Sequence, residues 1–261
     1  MSAADLRPYL ERPLTAPDEE SLLAAQTGPG DPATALALAD VDRLLDPAPL
    51  EVETGWWLLP DGTAQVAART PMPGVSAEMV DWWFDWHPRE AIRYRIWHPL
   101  AHFDNSLERP AQPGAKPHWG AIHHPVEDVG AGVVHARICF QDPARLGMSP
   151  AALSGPQVGT VLAAEVGDDR RHVRHSLMYH VFLRQPDGLV LRSRFWLGAA
   201  IRPYGPAGGL LEPLLNRPRV RRRMLPRGAP PALARHCVEE YANLAALLPE
   251  LYGRFGAPAA Q

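Results

Sequence analysis

A stretch of unbroken helical period sets the first constraint. In PPALARHCVEEYANLAALLPELYGRFG, residues 230–256, Leu233, Cys237, Tyr241, Leu244, Leu248 and Leu251 recur on one side at helical spacing. Pro231 suits the opening turn, where its missing N–H costs nothing. An apolar stripe of this length has to be buried, and the residues ahead of it read as strands. GVVHARICF, GTVLAAEVG, HSLMYHVFLR and LVLRSRFWLG are rich in Val, Leu, Ile and aromatic residues and are punctuated by Gly and Pro. The expected class is α+β, a helix laid over a curved antiparallel sheet. His236 and Glu240 border the stripe one turn apart and so turn inward. An imidazole and a carboxylate at that spacing can grip one metal ion, or form a plain polar pair.

The strand pattern runs from about 117 to 198. Gln185-Pro186-Asp187-Gly188 is a turn signal joining the last two strands. Alternation places Ser176, Met178, His180 and Phe182 on one face and Leu177, Tyr179, Val181 and Leu183 on the other. With Asp187 and Gly188 as the loop, His180 lies opposite Phe195; a bulged turn slips that pairing by one.

Ahead of the strands, Asp31-Pro32 reads as the start of a helix over DPATALALADVDRLLD, and GWWLLPDGTAQVAAR as a hairpin about Pro60-Asp61-Gly62. TPMPG, residues 70–74, reads as a seam, dividing a leading region 1–70 from a main domain 71–261. Ser76 can cap a helix reaching Trp86, Pro88 can open a second, and Pro99 can end it. Trp82, Trp83, Trp86 and Trp97, four of the eight tryptophans, fall in this part and suit a core or pocket wall.

At 261 residues the chain can form one large domain, or a catalytic domain with a small appendage. A net charge of -3 provides no basic field, which argues against nucleic acid and anionic membrane as partners. The six arginines of RPRVRRRMLPRG, residues 217–228, lack interleaved aromatics and read as a solvated connection. The two cysteines, Cys139 and Cys237, show no CxxC and no disulfide framework, which fits a cytoplasmic setting. Neither a signal peptide nor a bilayer-length apolar run is visible.

GxSxG, HExxH, Walker and GxGxxG patterns are missing, and the single lysine, Lys116, sits in a Pro/Gly-rich loop. What remains is a supply of histidines and carboxylates: His98 and His102, His123 and His124 ahead of Glu127 and Asp128, His180, and His236 with Glu240. Each also has a structural reading. Tyr94 can anchor its hydroxyl to backbone, Asn105 can build a turn after Asp104, His180 can be a satisfied core histidine, and Glu127 can be exposed.

MVDWWFDWHPREAIRYRIWHPLAHFDN (79–105), RSRFWLG (192–198) and HCVEEY (236–241) together resemble the 2,4-diacetylphloroglucinol hydrolase family over most of residues 70–245. The resemblance implies a Zn²⁺-dependent hydrolase that cuts the C–C bond between an acyl group and a phenolic ring, releasing a carboxylic acid. It implies a helix-grip domain like that of the Bet v 1 allergens, a small leading region involved in dimer formation, and hence a homodimer. Position by position it places zinc ligands on His102, Glu127, His236 and Glu240, with His98 and Asp128 as the nearest alternatives. Tyr94 and Asn105 match residues that hydrogen-bond the substrate's phenolic oxygens, and His180 a catalytic histidine expected to titrate near neutrality and shuttle the proton. Phe195 stands where the family has a second substrate-binding tyrosine, so a ring-holding hydroxyl is missing. Two other classes are carried beside this one: a non-catalytic carrier of aromatic ligands, and a zinc-dependent ester or lactone hydrolase.

Overall fold

Pro186-Asp187 closes the longest hairpin of the chain, and the sheet is built outward from it. In the computed structural model, which describes residues 5–111, 116–206, 208–226 and 228–256, Val173–Gln185 (β7) pairs antiparallel with Gly188–Pro203 (β8). Gln185 faces Gly188, so the loop is one residue earlier than expected, and His180 faces Ser193 while Phe195 faces Met178. The pairing therefore differs by two positions from the expected one. An even shift preserves the face, and the rings of His180 and Phe195 still meet, 5.4 Å between centroids.

Gly55–Leu58 (β1), Ala64–Pro73 (β2), His102–Arg109 (β3), Ile122–Asp128 (β4), Val133–Gln141 (β5) and Val158–Asp168 (β6) complete the sheet. Its order is β1-β2-β8-β7-β6-β5-β4-β3, and every neighbouring pair is antiparallel. Register breaks between β3 and β4, β6 and β7, and β7 and β8 supply local bends that curve it. The helices are α1 (Arg7–Leu10), α2 (Glu19–Gln26), α3 (Ala77–Trp86), α4 (Ala91–Trp97), α5 (Pro150–Leu153), α6 (Gly208–Leu215), α7 (Pro218–Met224) and α8 (Ala229–Phe255).

Helix α8 buries Cys237, Tyr241, Leu244, Leu248 and Leu251 in one cluster with Leu162, Met178, Phe182 and Leu191 from the sheet. This is the α+β helix-grip arrangement. The opposite face of the sheet carries Val161, Ala163, Tyr179 and Val181, and is covered by Leu36, Val41, Leu44 and Leu45. The covering segment is not the α-helix expected over 31–46. It is two 3-10 stretches, Pro32–Thr34 and Leu38–Leu45, around extended Ala35 and Ala37. The cause is a distant side chain: Gln65 of β2 accepts from Leu36 N at 2.9 Å and donates to Leu36 O at 2.6 Å, using backbone groups that a helix needs for itself.

The hairpin about Asp61-Gly62 forms as expected, with Gly62 at φ 84°. Residues 70–73, expected to form a seam, are instead paired rungs of β2 against β8, so the β1–β2 hairpin is built into the same sheet. Ser76 caps α3 by accepting from Met79 N at 3.4 Å. Pro88 opens only a 3-10 turn, His87–Arg89, and α4 begins after extended Glu90 and ends two residues before Pro99. Strand β3 had no counterpart in the sequence reading. It is an edge strand whose outward residues, Phe103 apart, are polar, and a bulge breaks its alternation. The arginine-rich run forms α7, with Arg221 paired to Asp61 at 3.1 Å. Among the described residues no helix is long and apolar enough to cross a membrane.

Candidate metal centre and active site

His102 and Asn105, three apart on a strand, ought to face opposite sides. The register break between His102 and Asp104 turns both inward and leaves Phe103 and Asp104 outside. Strand β4 keeps strict alternation, so His123, Pro125 and Glu127 share the inner face, and Glu127 lies directly opposite His102. Helix α8 brings His236 and Glu240 down from above. Two bonds fix its height over α4: Trp97 Nε1 donates to Glu240 O at 2.9 Å, and Asn243 Nδ2 donates to Trp97 O at 2.8 Å.

These elements bring together the four residues the likeness implied as ligands. His102 Nε2 lies 3.4 Å from His236 Nε2, 3.5 Å from Glu127 Oε2 and 3.5 Å from Glu240 Oε2. His236 Nε2 lies 3.8 Å from both carboxylates. Ligands held at about 2.0–2.1 Å around a tetrahedral ion are about 3.3–3.4 Å apart, so the spacing suits one small cation. His102, His236 and Glu240 alone form a compact trio, with donor atoms all within 4.8 Å of one another. Glu127 is outside that trio, but its Oε2 reaches both imidazoles from the sheet side.

The surroundings prepare these donors. His102 Nδ1 lies 3.2 Å from Tyr94 O; donating there commits Nε2 to the cluster as an acceptor. The Tyr94 hydroxyl donates to Glu127 Oε2, not to backbone. Burial pushes Glu127 and Glu240 above the usual carboxylate range, Glu240 strongly and with a further push from Glu127. Burial drives His102 well below the ordinary histidine value and His236 down to about 3. Among the described residues no lysine or arginine pairs with either carboxylate. Two neutral imidazoles and buried acids enclosed without a lysine or arginine could hold a divalent metal ion, His102, His236 and Glu240 most compactly.

The two alternatives do other work. His98 stacks on His236, 5.3 Å between centroids, and its nearest acid is Glu239 at 3.9 Å. Asp128 accepts from Gly130 N at 2.8 Å and Gly132 N at 3.1 Å, building the β4–β5 turn.

Beside the cluster is a cavity of about 80 Å³, with Tyr94, Asn105, His180 and Phe195 in its wall. A void of about 150 Å³ admits benzene, so a substituted ring enters only as wall side chains shift. Asn105 is a strand residue rather than a turn builder, buried in the cavity wall with its Oδ1 unpaired. His180 Nδ1 shares a 2.8 Å hydrogen bond with Ser193 Oγ, and burial pushes the imidazole down to about 3. The expectation that it titrates near neutrality is therefore corrected: it is a neutral ring at physiological pH. His87 and Phe140 also line the cavity without having been singled out, and so do His123 and Tyr241, which the sequence offered as one of the histidines and as part of the helical stripe but not as cavity wall. The period-two spacing of His123, Pro125 and Glu127 was the available signal for His123. A larger hollow of about 400 Å³ lies elsewhere, between Thr15–Ser21, Arg69–Pro73 and the outer side of α8, and holds no comparable cluster.

A family model described as the DAPG hydrolase PhiG domain matches residues 36–253. The 2,4-diacetylphloroglucinol hydrolase of Pseudomonas protegens is 35% identical over 232 residues, covering 86% of this chain and 75% of that protein. The phloretin hydrolase of Eubacterium ramulus is 30% identical over 258 residues, covering 94% of this chain and 88% of that protein. Among solved structures, the Zhui aromatase/cyclase from Streptomyces sp. R1128 is 17% identical with a TM-score of 0.42, covering 76% of this chain and 99% of that one.

Proposed function

The chain belongs to the DAPG hydrolase PhiG-domain family, and from that premise we propose that it hydrolyses the C–C bond joining an acyl group to a phloroglucinol-like ring, with Zn²⁺ held by His102, Glu127, His236 and Glu240. The observation that carries the reading is the convergence of these side chains from β3, β4 and α8: the two imidazoles lie 3.4 Å apart, each carboxylate lies 3.5–3.8 Å from both of them, and no lysine or arginine among the described residues pairs with either acid. The relatives' names support the bond. Diacetylphloroglucinol and phloretin are both phloroglucinol ketones without an ester or amide, so their hydrolysis cuts between ring and carbonyl. That favours C–C cleavage over ester or lactone hydrolysis. A carrier of aromatic ligands has no use for such a donor set.

Cleavage requires the ring carbon to leave with the bonding pair, which needs that carbon protonated first; meta-related hydroxyls permit the keto tautomer. A zinc ion held by His102, Glu127, His236 and Glu240 would supply Lewis acidity and lower the pKa of a water toward neutrality. Tyr94 and Asn105 hold ring oxygens. His180, kept neutral by burial and oriented by Ser193, hydrogen-bonds a phenolic hydroxyl and relays its proton as the ring carbon is protonated, without resting as an imidazolium. The products are a carboxylic acid and the deacylated phenol. The likeness further supports a homodimer with residues 1–70 contributing to the contact, which gel filtration with light scattering tests, and the two cysteines without a disulfide framework support a cytoplasmic setting.

The test is zinc content per chain together with acid release from acylphloroglucinols by wild type and His236→Ala. Wild type is expected to hold about one zinc and to turn over, and His236→Ala to lose both. Turnover surviving complete metal removal overturns the reading.

A further inference from the structure

Three buried polar atoms around the cavity have no hydrogen-bond partner: Asn105 Oδ1, Tyr241 OH and His123 Nε2. His123 is 2% exposed and sits in the cavity wall with its ring edge-on to Phe140, 4.8 Å between centroids. A buried imidazole nitrogen in a wall this aromatic implies a partner that arrives with the ligand. Its place along β4 identifies which part of the ligand. His123 and Glu127 share the inner face four residues apart, about 13 Å along the strand, with Pro125 between them. A ketone whose carbonyl lies at the cluster of Glu127 therefore extends its ring toward His123. Asn105, opposite Pro125, flanks the ring midway.

We infer that His123 is a specificity-determining residue whose Nε2 hydrogen-bonds the ring hydroxyl para to the acyl group, so that the site selects 2,4,6-trihydroxyphenyl ketones over 2,6-dihydroxyphenyl ketones. This rests on the hydrolase reading above. The neutral imidazole can accept the hydroxyl proton or donate to a phenolate, depending on tautomer.

The test measures kcat and KM for wild type, His123→Phe and His123→Gln on a 2,4,6-trihydroxyphenyl ketone and its 2,6-dihydroxy analogue. His123→Phe is expected to raise KM about tenfold on the trihydroxy ketone with kcat little changed, and to match wild type on the analogue. His123→Gln, which retains a donor and an acceptor, is expected to recover most of the loss. Equal losses on both ketones, or none on either, overturn the assignment and leave His123 a packing or water-bound residue. If wild type cleaves neither ketone, the hydrolase reading fails. Calorimetry with phloroglucinol then decides the subsite alone: a tenfold weaker Kd for His123→Phe upholds it, and an equal Kd overturns it.

Discussion

The ring of Tyr94 lies flat on the imidazole of His102, 4.0 Å between centroids and 1° between planes, while its hydroxyl donates to Glu127. One side chain thus orients two of the proposed ligands from outside the cluster. Tyr94→Phe keeps the stack and removes the donor. Metal affinity is expected to fall about tenfold or more, the usual cost of losing a ligand's supporting hydrogen bond, with thermal stability of the loaded protein little changed. Competition with a chromogenic chelator measures it. An unchanged affinity shows that the hydroxyl serves the substrate alone.

Glu240 separates stability from function. Its folded pKa is raised, by burial first and Glu127 second, so in metal-free protein its contribution to stability is present below the ordinary value near 4.5 and is lost as pH rises. Glu240→Gln removes that penalty. Metal-free Glu240→Gln is expected to melt at least about 2–4 °C above metal-free wild type at pH 8, with the gap closing toward pH 4.5, while zinc occupancy falls. Thermal melts in chelator at the two pH values decide it. A variant that melts lower at both shows that Glu240 is satisfied without a cation.

Histidine burial has the opposite sign. Burial lowers His87 and His180 to about 3 and His118 to about 4, against about 6.5 when unfolded. Between those values the unfolded chain binds more protons, so this stability is complete above about pH 6.5 and is lost as pH falls toward 4 and then 3. Urea unfolding from pH 7.5 to 4.5 is expected to show a steadily falling midpoint, with these three histidines contributing about three of the protons taken up on unfolding near pH 5. A flat midpoint across that range contradicts it. The same burial predicts that His180 contributes no inflection near pH 6.5 to kcat/KM.

Local periodicity explains what was legible in the sequence. The stripe of α8 and the alternation of β7 are repeated patterns within one segment, and both hold in the structure. Non-local bonds explain what was not. The 3-10 geometry around Leu36 depends on Gln65, and β3 hides because its edge position leaves mostly polar residues outward and a bulge interrupts its period. His236 and Glu240 could be paired from helix spacing alone. Bringing His102 and Glu127 to them needed the strand order β4-β3 beneath α8, which no segment encodes and only the family likeness implied. His123 was visible as a residue but not as a cavity wall, since that requires knowing which face of β4 looks inward.

Phe195 links its neighbours to substrate choice. Its ring meets His180 edge-on within the cavity wall and offers no hydrogen bond. Phe195→Tyr adds a hydroxyl that, in the free enzyme, must find a partner inside a small aromatic cavity; an unpaired one costs about 1–3 kcal/mol. The variant is therefore expected to melt a few degrees lower without ligand and to regain that loss when a polyphenol binds. With substrate present the new donor can hold a ring oxygen, so KM for a trihydroxyphenyl ketone is expected to fall about five- to tenfold, with a smaller change for an analogue methylated at its ring oxygens. Paired melts and steady-state kinetics measure both halves. A variant that loses stability without any gain in KM for either substrate shows that position 195 packs against His180 and does not meet the ring.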